Sequence, residues 1–290
     1  MAGGALVLAS VLLQPLQAQD PSCLVSLATS PATLTQGIMA WLDVRLLHGG
    51  RIGSGEVAGE PLHFERRPTG GLRALIAIPV DAGDTVPLLI VLHRGDATDT
   101  LALSLPVRPA DYASELLSVA PEYATPDSAA TARIQTEIAQ SRALSRRSQT
   151  RPRIWTGGFR VPRKARITSR FGTARVYNGQ VQSRHLGTDF AGTIGAPVFA
   201  AGRGVVALVA DFYLAGHVVY IDHGAGLMTG YFHLSRIDVR KGQRVTAGQL
   251  IGAVGKSGRV TGPHLHWVAR YGAISVDAMS LLTLKQLDQK

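Results

Sequence analysis

The chain has 290 residues and a mass of 30.7 kDa, enough for two domains of about 150 residues each. Its 46% hydrophobic and 17% charged residues, with 32 Gly and 15 Pro, argue against a disordered polyelectrolyte, a collagen-like repeat and a multi-span membrane protein. One cysteine allows neither an intramolecular disulfide nor a four-cysteine zinc site, so any metal must be held by the nine His and by carboxylates. The net charge of +10 predicts attraction to anionic polymers, whether nucleic acid, acidic lipid headgroups or a bacterial envelope. Charge alone does not choose among them. No zinc finger, RNP-like aromatic motif or helix-turn-helix accompanies the basic residues, which disfavours nucleic acid.

Residues 1–19 read as a secretory signal segment: Ala2 to Leu16 is apolar apart from Gly, Ser10 and Gln14, and Pro15 with Gln17-Ala18 forms a cleavage zone. The alternative is an apolar first strand or helix that stays attached. The run is too short to span a bilayer, so no transmembrane segment is expected in the mature chain. Asp20-Pro21-Ser22 lacks the apolar residues expected before a lipidated cysteine, which argues against an anchor at Cys23.

From 24 to 107, apolar runs of five to eight residues alternate with Gly, Pro and Asp clusters, as in Met39-Ala-Trp-Leu-Asp-Val-Arg-Leu-Leu and Pro87-Leu-Leu-Ile-Val-Leu. That texture predicts a small β-sandwich. His48, His63 and His93 have no ligand-type neighbour at useful spacing and read as surface or satisfied histidines. Residues 108–154 read as a helical, basic connector. Pro126-Asp127-Ser128 marks a helix start, Ala129 to Ser145 is rich in helix formers, and no acid occurs between Glu137 and Asp189. After Trp155 the pattern turns Gly-rich and β, with strands expected at Val198–Ala201, Gly204–Ala210, Val218–Asp222, Leu227–His233 and Leu250–Val254. A compact antiparallel β domain over 155–283 and a tail at 284–290 complete a mainly β chain.

Three histidine groups fall in this second domain. In His185-Leu-Gly-Thr-Asp189 a separation of four puts both side chains on one face of a helix or a strand, and Gly187 with Thr188 favours the extended form. In His264-Leu-His266 a period of two puts both imidazoles on one face and Leu265 with Trp267 on the other. His233 ends the apolar Tyr231-Phe232 run. Two imidazoles and one carboxylate, with a fourth position left to water, form the ligand pattern of a catalytic zinc, whose charge lowers the pKa of bound water towards ~7 and polarises a carbonyl. The competing reading is a wet, β-rich cleft of hydrogen-bonded polar side chains.

Over about 155–282 the sequence resembles the lysostaphin/LytM-type zinc endopeptidases, which cut peptide bonds in bacterial peptidoglycan. The resemblance rests on Ile167-Thr-Ser-Arg-Phe-Gly-Thr, His185-Leu-Gly-Thr-Asp189-Phe-Ala, Gly195-Ala-Pro-Val, Tyr220-Ile-Asp-His-Gly, Tyr231-Phe-His-Leu-Ser and Gly262-Pro-His-Leu-His-Trp. It implies one zinc ion held by His185, Asp189 and His266. It implies further that His264 is general base on the bound water, and that His233 donates to the oxyanion or orients the water. Tyr177, in the turn before Asn178-Gly179, is a candidate to contact substrate or transition state, and has an equally good role as a turn residue. The implied partners are peptidoglycan stem or cross-link peptides and anionic envelope polymers, in a periplasmic or otherwise extracytoplasmic setting. Two departures, His217 where Asn often follows Gly and Asp277-Ala278 where Asp-Pro is common, lie outside the metal set. Another class of function stays open: a peptidase-like regulator that activates or delivers another hydrolase. The two-domain layout also leaves room for an N-terminal sandwich that covers the groove.

Other motifs fail on context. Gly255-Lys-Ser lacks the earlier glycine of a phosphate loop, because Leu250 stands there. Gly202-Arg-Gly204 leads into a β-branched run instead of a helix, against a dinucleotide fold. His223 in Asp-His-Gly reads as a turn residue.

Overall fold

The computed structural model describes residues 25–47, 49–116, 127–177 and 180–284. The signal segment 1–19, Cys23, His48, Pro121 and Pro126, and the tail beyond 284 lie outside them. The chain divides into two units, 1–110 with 287–290 and 111–286.

The first unit holds β1 (Val25–Ser30), β2 (Leu34–Thr35), β3 (Met39–Leu46), β4 (Arg51–Val57), β5 (Glu60–Pro61), β6 (Glu65–Arg66), β7 (Leu72–Ala77), β8 (Thr85–Arg94) and β9 (Ala97–Arg108). They form two sheets, in the orders β1-β3-β7-β6 and β2-β9-β8-β4-β5. Alternation explains the layering. Along β8, Val86, Leu88, Ile90 and Leu92 point inward and meet Leu42, Val44 and Ile76 of the other sheet in one apolar core. This is the expected β-sandwich. Its half-buried Asp43 is paired with Arg73, whose Nη2 donates at 2.7 Å, and with Arg67 at 3.1 Å. The half-buried His93 shares a 2.9 Å hydrogen bond with Thr98.

The second unit comprises β10 (Ser114–Leu116), α1 (Ser128–Gln149), β11 (Ile167–Ser169), β12 (Ala174–Tyr177), β13 (Gln180–Arg184), β14 (Thr188–Ala191), β15 (Pro197–Phe199), β16 (Gly204–Phe212), β17 (Gly216–Gly224), β18 (Leu227–Ile237), β19 (Arg244–Val245), β20 (Leu250–Val254), β21 (His264–Tyr271) and β22 (Ile274–Val276), with a 3₁₀ turn at Ala278–Thr283. Its large sheet runs β11-β14-β21-β18-β17-β16-β19. Each strand expected in 198–254 is present, shifted by a few residues at its ends.

The sequence reading places a connector over 108–154, but the helix there lies within the second unit. Asp127 caps α1 by accepting the Ala130 N–H at 2.7 Å. The buried positions of α1 are Ser141, Leu144, Ser145 and Ser148, spaced as one helical face. Leu144 joins Leu208, Phe212, Val218, Tyr220, Met228 and Val268 in a core cluster, and the Ser148 hydroxyl donates to Asp222 at 2.6 Å. Three of the four buried residues are serines that seat the helix closely. A search for apolar periodicity passes over such a face.

Candidate metal centre

The site is assembled by one strand pair. β14 and β21 run antiparallel with Asp189 opposite His266 and Ala191 opposite His264. Directly opposed residues share a face, so Asp189, His264 and His266 come together. Phe190, Leu265 and Trp267 turn the other way and are at most 2% exposed. This is the alternation expected for His264-Leu-His266. β18 lies on the other side of β21 and brings His233 alongside, with imidazole centroids 4.9 Å from His264 and 5.8 Å from His266.

His185 arrives from the end of β13. Its Nε2 lies 3.2 Å from Asp189 Oδ1 and 3.0 Å from His266 Nδ1, and His266 Nδ1 lies 2.7 Å from the same Asp189 oxygen. These three atoms form the group among the described residues able to hold a metal ion. The protonation pattern fits that use. His185 Nδ1 faces the Arg170 carbonyl at 2.9 Å, an acceptor that requires the ring proton there and leaves Nε2 with a bare lone pair. With His266 Nδ1 deprotonated, three electron-pair donors would face one another, an arrangement suited to a shared cation; in its absence a proton on His266 Nδ1 bridges to Asp189. Ligand atoms about 2.0–2.2 Å from a tetrahedral ion stand roughly 3.3 Å apart, close to the separations here.

Two more imidazoles are oriented in the same way. His264 Nδ1 donates to the Gly262 carbonyl at 2.9 Å and His233 Nδ1 to the Ser257 carbonyl at 2.8 Å, so each has a bare Nε2. His264 Nε2 stands 3.7 Å from the second Asp189 oxygen, beyond a hydrogen bond. Burial is the largest influence on the Asp189 carboxyl and opposes its charge, but the hydrogen bonds and charges of His185 and His266 outweigh it and hold the group far below the usual carboxylate range. Burial also pushes His266 down. His233 falls to about 3, through burial first and then through the neighbouring His266 and His264.

Gly187 is required by close approach. A Cβ there would lie 2.5 Å from His266 Cε1, 2.7 Å from its Nε2 and 2.8 Å from the Trp267 carbonyl oxygen. Sequence reasoning gave Gly187 no such part, although a glycine between two candidate ligands is a signal of crowding. It also missed the carbonyls of Arg170, Gly262 and Ser257, which no side chain announces. The backbone of Tyr177 belongs to β12, and its side chain lies outside the description. His223 stands apart from the cluster. It is fully buried, donates from Nδ1 to the Arg203 carbonyl at 2.8 Å and accepts at Nε2 from Thr229 at 2.8 Å. The departure at 277 is locally satisfied, since Asp277 caps the 3₁₀ turn by accepting the Met279 N–H at 2.9 Å.

Residues 183–278 match the model of Peptidase family M23. Over 124 residues the chain is 47% identical to the peptidoglycan DD-endopeptidase ShyA of Vibrio cholerae, a match covering 42% of this chain and 28% of that one. It is 37% identical over 127 residues to the DD-carboxypeptidase/endopeptidase Mpg of Neisseria meningitidis, covering 43% of this chain and 29% of that one. The chain thus spans under a third of the length of these curated relatives. Among solved structures, a candidate peptidase M23 from Pseudomonas aeruginosa aligns over 87% of this chain and 96% of its own, with a TM-score of 0.64 and 26% identity. Family model and structural neighbour agree with the geometry of the site: residues 183–278 form a peptidase M23 domain.

Proposed function

We propose that the protein is an exported zinc metalloendopeptidase that hydrolyses peptide bonds in bacterial peptidoglycan, acting outside the cytoplasm with one zinc ion per chain. The observation that carries the reading is the convergence of His185 Nε2, Asp189 Oδ1 and His266 Nδ1 to within 3.2 Å of one another, with two further imidazoles at their side. These three residues would hold the zinc, which when bound acidifies a water molecule and polarises the scissile carbonyl.

The protein's own groups supply the proton transfers. His264, with Nδ1–H committed to Gly262, presents Nε2 as the general base that takes a proton from the attacking water and later returns it to the leaving amine. His233 presents an unprotonated Nε2 in the same way, because Ser257 holds its proton on the other nitrogen and its pKa is pushed down to about 3. Of the two roles open to His233, this favours accepting a hydrogen bond from the water and so orienting it; donation to an oxyanion needs prior protonation. Asp189 stays ionised and compensates the positive charge gathered at the site. The peptidoglycan substrate is supported by the names of the relatives, and the extracytoplasmic setting follows from that substrate. No helix among the described residues is long and apolar enough to cross a membrane.

The test is digestion of purified sacculi by the full chain, with products read by mass spectrometry, before and after chelation and zinc add-back. The reading requires peptide-bond products that vanish on chelation and return with zinc. Intact cross-links throughout, with the protein folded and zinc bound, would favour the non-hydrolytic regulator.

A further inference from the structure

His233 sits in the left-handed backbone region at φ 61°, which a residue bearing a Cβ occupies only when its surroundings over-determine it. Two hydrogen bonds do so. Its N–H donates to the Ala215 carbonyl at 2.9 Å and its Nδ1–H to the Ser257 carbonyl at 2.8 Å. The acceptors lie on two loops, 213–215 between β16 and β17 and 255–263 between β20 and β21, and the loops are interlocked. The Arg259 N–H donates to Leu214 at 2.8 Å, the His217 N–H donates to the Ser257 hydroxyl at 2.9 Å, and that hydroxyl donates to the Leu234 carbonyl at 3.0 Å. Packing there is tight: a Cβ on Gly216 would lie 2.3 Å from the Ser257 carbonyl carbon.

The first loop is fastened in turn to α1. The Glu137 carboxylate accepts the Tyr213 N–H with both oxygens, at 2.9 and 3.0 Å, and is held by Arg133 Nε at 2.7 Å. Arg133 also donates to the Asp211 carbonyl at 2.9 Å. The Glu137 side chain is 12% exposed and continues the face of Ser141, Leu144, Ser145 and Ser148, so the carboxylate that helps seat α1 is also the group that fastens the 213–215 loop. We infer that Glu137 is a positioning residue for His233, acting through the Tyr213–Ala215 loop to hold the imidazole with Nε2 towards the reacting centre. The inference rests on the metallopeptidase reading.

Glu137→Met and Glu137→Gln test it, because Tyr213 offers a single N–H that a glutamine carbonyl can accept and a methionine cannot. With the zinc-loaded full chain on a cross-linked muropeptide, E137M should lower kcat about tenfold with KM and zinc affinity within about twofold, and E137Q should restore kcat to within about threefold of the parent. In the zinc-free protein, imidazole ¹⁵N shifts should show His233 as the Nδ1-protonated tautomer in the parent and in E137Q, and as a tautomer mixture in E137M, with His185 and His264 unchanged. If E137M fails to fold, Glu137→Ala takes its place in the same comparison. Parental kcat and tautomer in E137M, equal losses in E137M and E137Q, or a kcat loss matched by lost zinc affinity would overturn the assignment. A parent that binds zinc but cleaves nothing would instead overturn the proposed function, and the ¹⁵N comparison would still decide the part played by Glu137.

Discussion

Replacing Gly187 by alanine tests how closely the metal set is packed. The added Cβ would stand 2.5 Å from His266 Cε1 and 2.8 Å from the Trp267 carbonyl oxygen, where ordinary contact begins at 3.4 Å, so gaps of about 0.9 and 0.6 Å must open. The Trp267 backbone is fixed, since β21 is paired with both β14 and β18 and the Trp267 side chain is wholly buried. The imidazole must therefore swing. Cε1 is bonded to Nδ1, the atom proposed to ligate zinc, and metal–ligand distances tolerate only about 0.2 Å of misfit. A loss of roughly 10–100-fold in zinc affinity follows, about 1.4–3 kcal/mol. Competition against a chromophoric chelator measures it, with Gly157→Ala as the control because a Cβ there meets nothing within 4 Å. Both variants should keep the parental circular dichroism. Parental zinc affinity in G187A would refute the claim that His266 is held at this spot to bind metal.

His266→Ala should abolish zinc retention and hydrolysis together while the fold survives, which metal analysis and circular dichroism check on one sample. Burial pushes His223 down to about 4, against the ordinary 6.5. Between those values the unfolded chain binds the proton and the native chain does not, so stability falls on acidification from about pH 6.5 to 4, by up to about 3 kcal/mol from this group. Denaturant unfolding of the zinc-free protein across that window should show the slope in the parent and a flatter one in His223→Gln; equal slopes would remove His223 as the cause. Leu144→Ala should cost about 2–4 kcal/mol in unfolding of the C-terminal unit, because Leu144 is buried among Leu208, Phe212 and Met228. A change under about 0.5 kcal/mol would mean that α1 is not integral to that unit.

The alternating patterns were legible in the sequence because strand geometry ties side-chain face to residue parity. His264 with His266 lies opposite the face of Leu265 and Trp267 for that reason, whereas the inward set Val86, Leu88 and Ile90 was hidden in the continuous apolar run 86–92. The convergence of His185, Asp189 and His266 was legible only through family resemblance, since nothing local says that β14 pairs with β21 in the register that sets Asp189 opposite His266. The allegiance of α1 was hidden because serines, not leucines, make its buried face. The carbonyls of Arg170, Gly262 and Ser257 were invisible for a deeper reason. Every residue has a carbonyl, and only the folded chain selects the ones that set the imidazole tautomers.

X-ray absorption at the zinc edge on the purified, zinc-loaded chain addresses the central claim directly. One zinc per chain is expected, with two imidazoles and oxygen donors at about 2.0–2.2 Å, and with one imidazole lost in His185→Ala. A first shell without imidazole, or one unchanged by that substitution, would contradict the account.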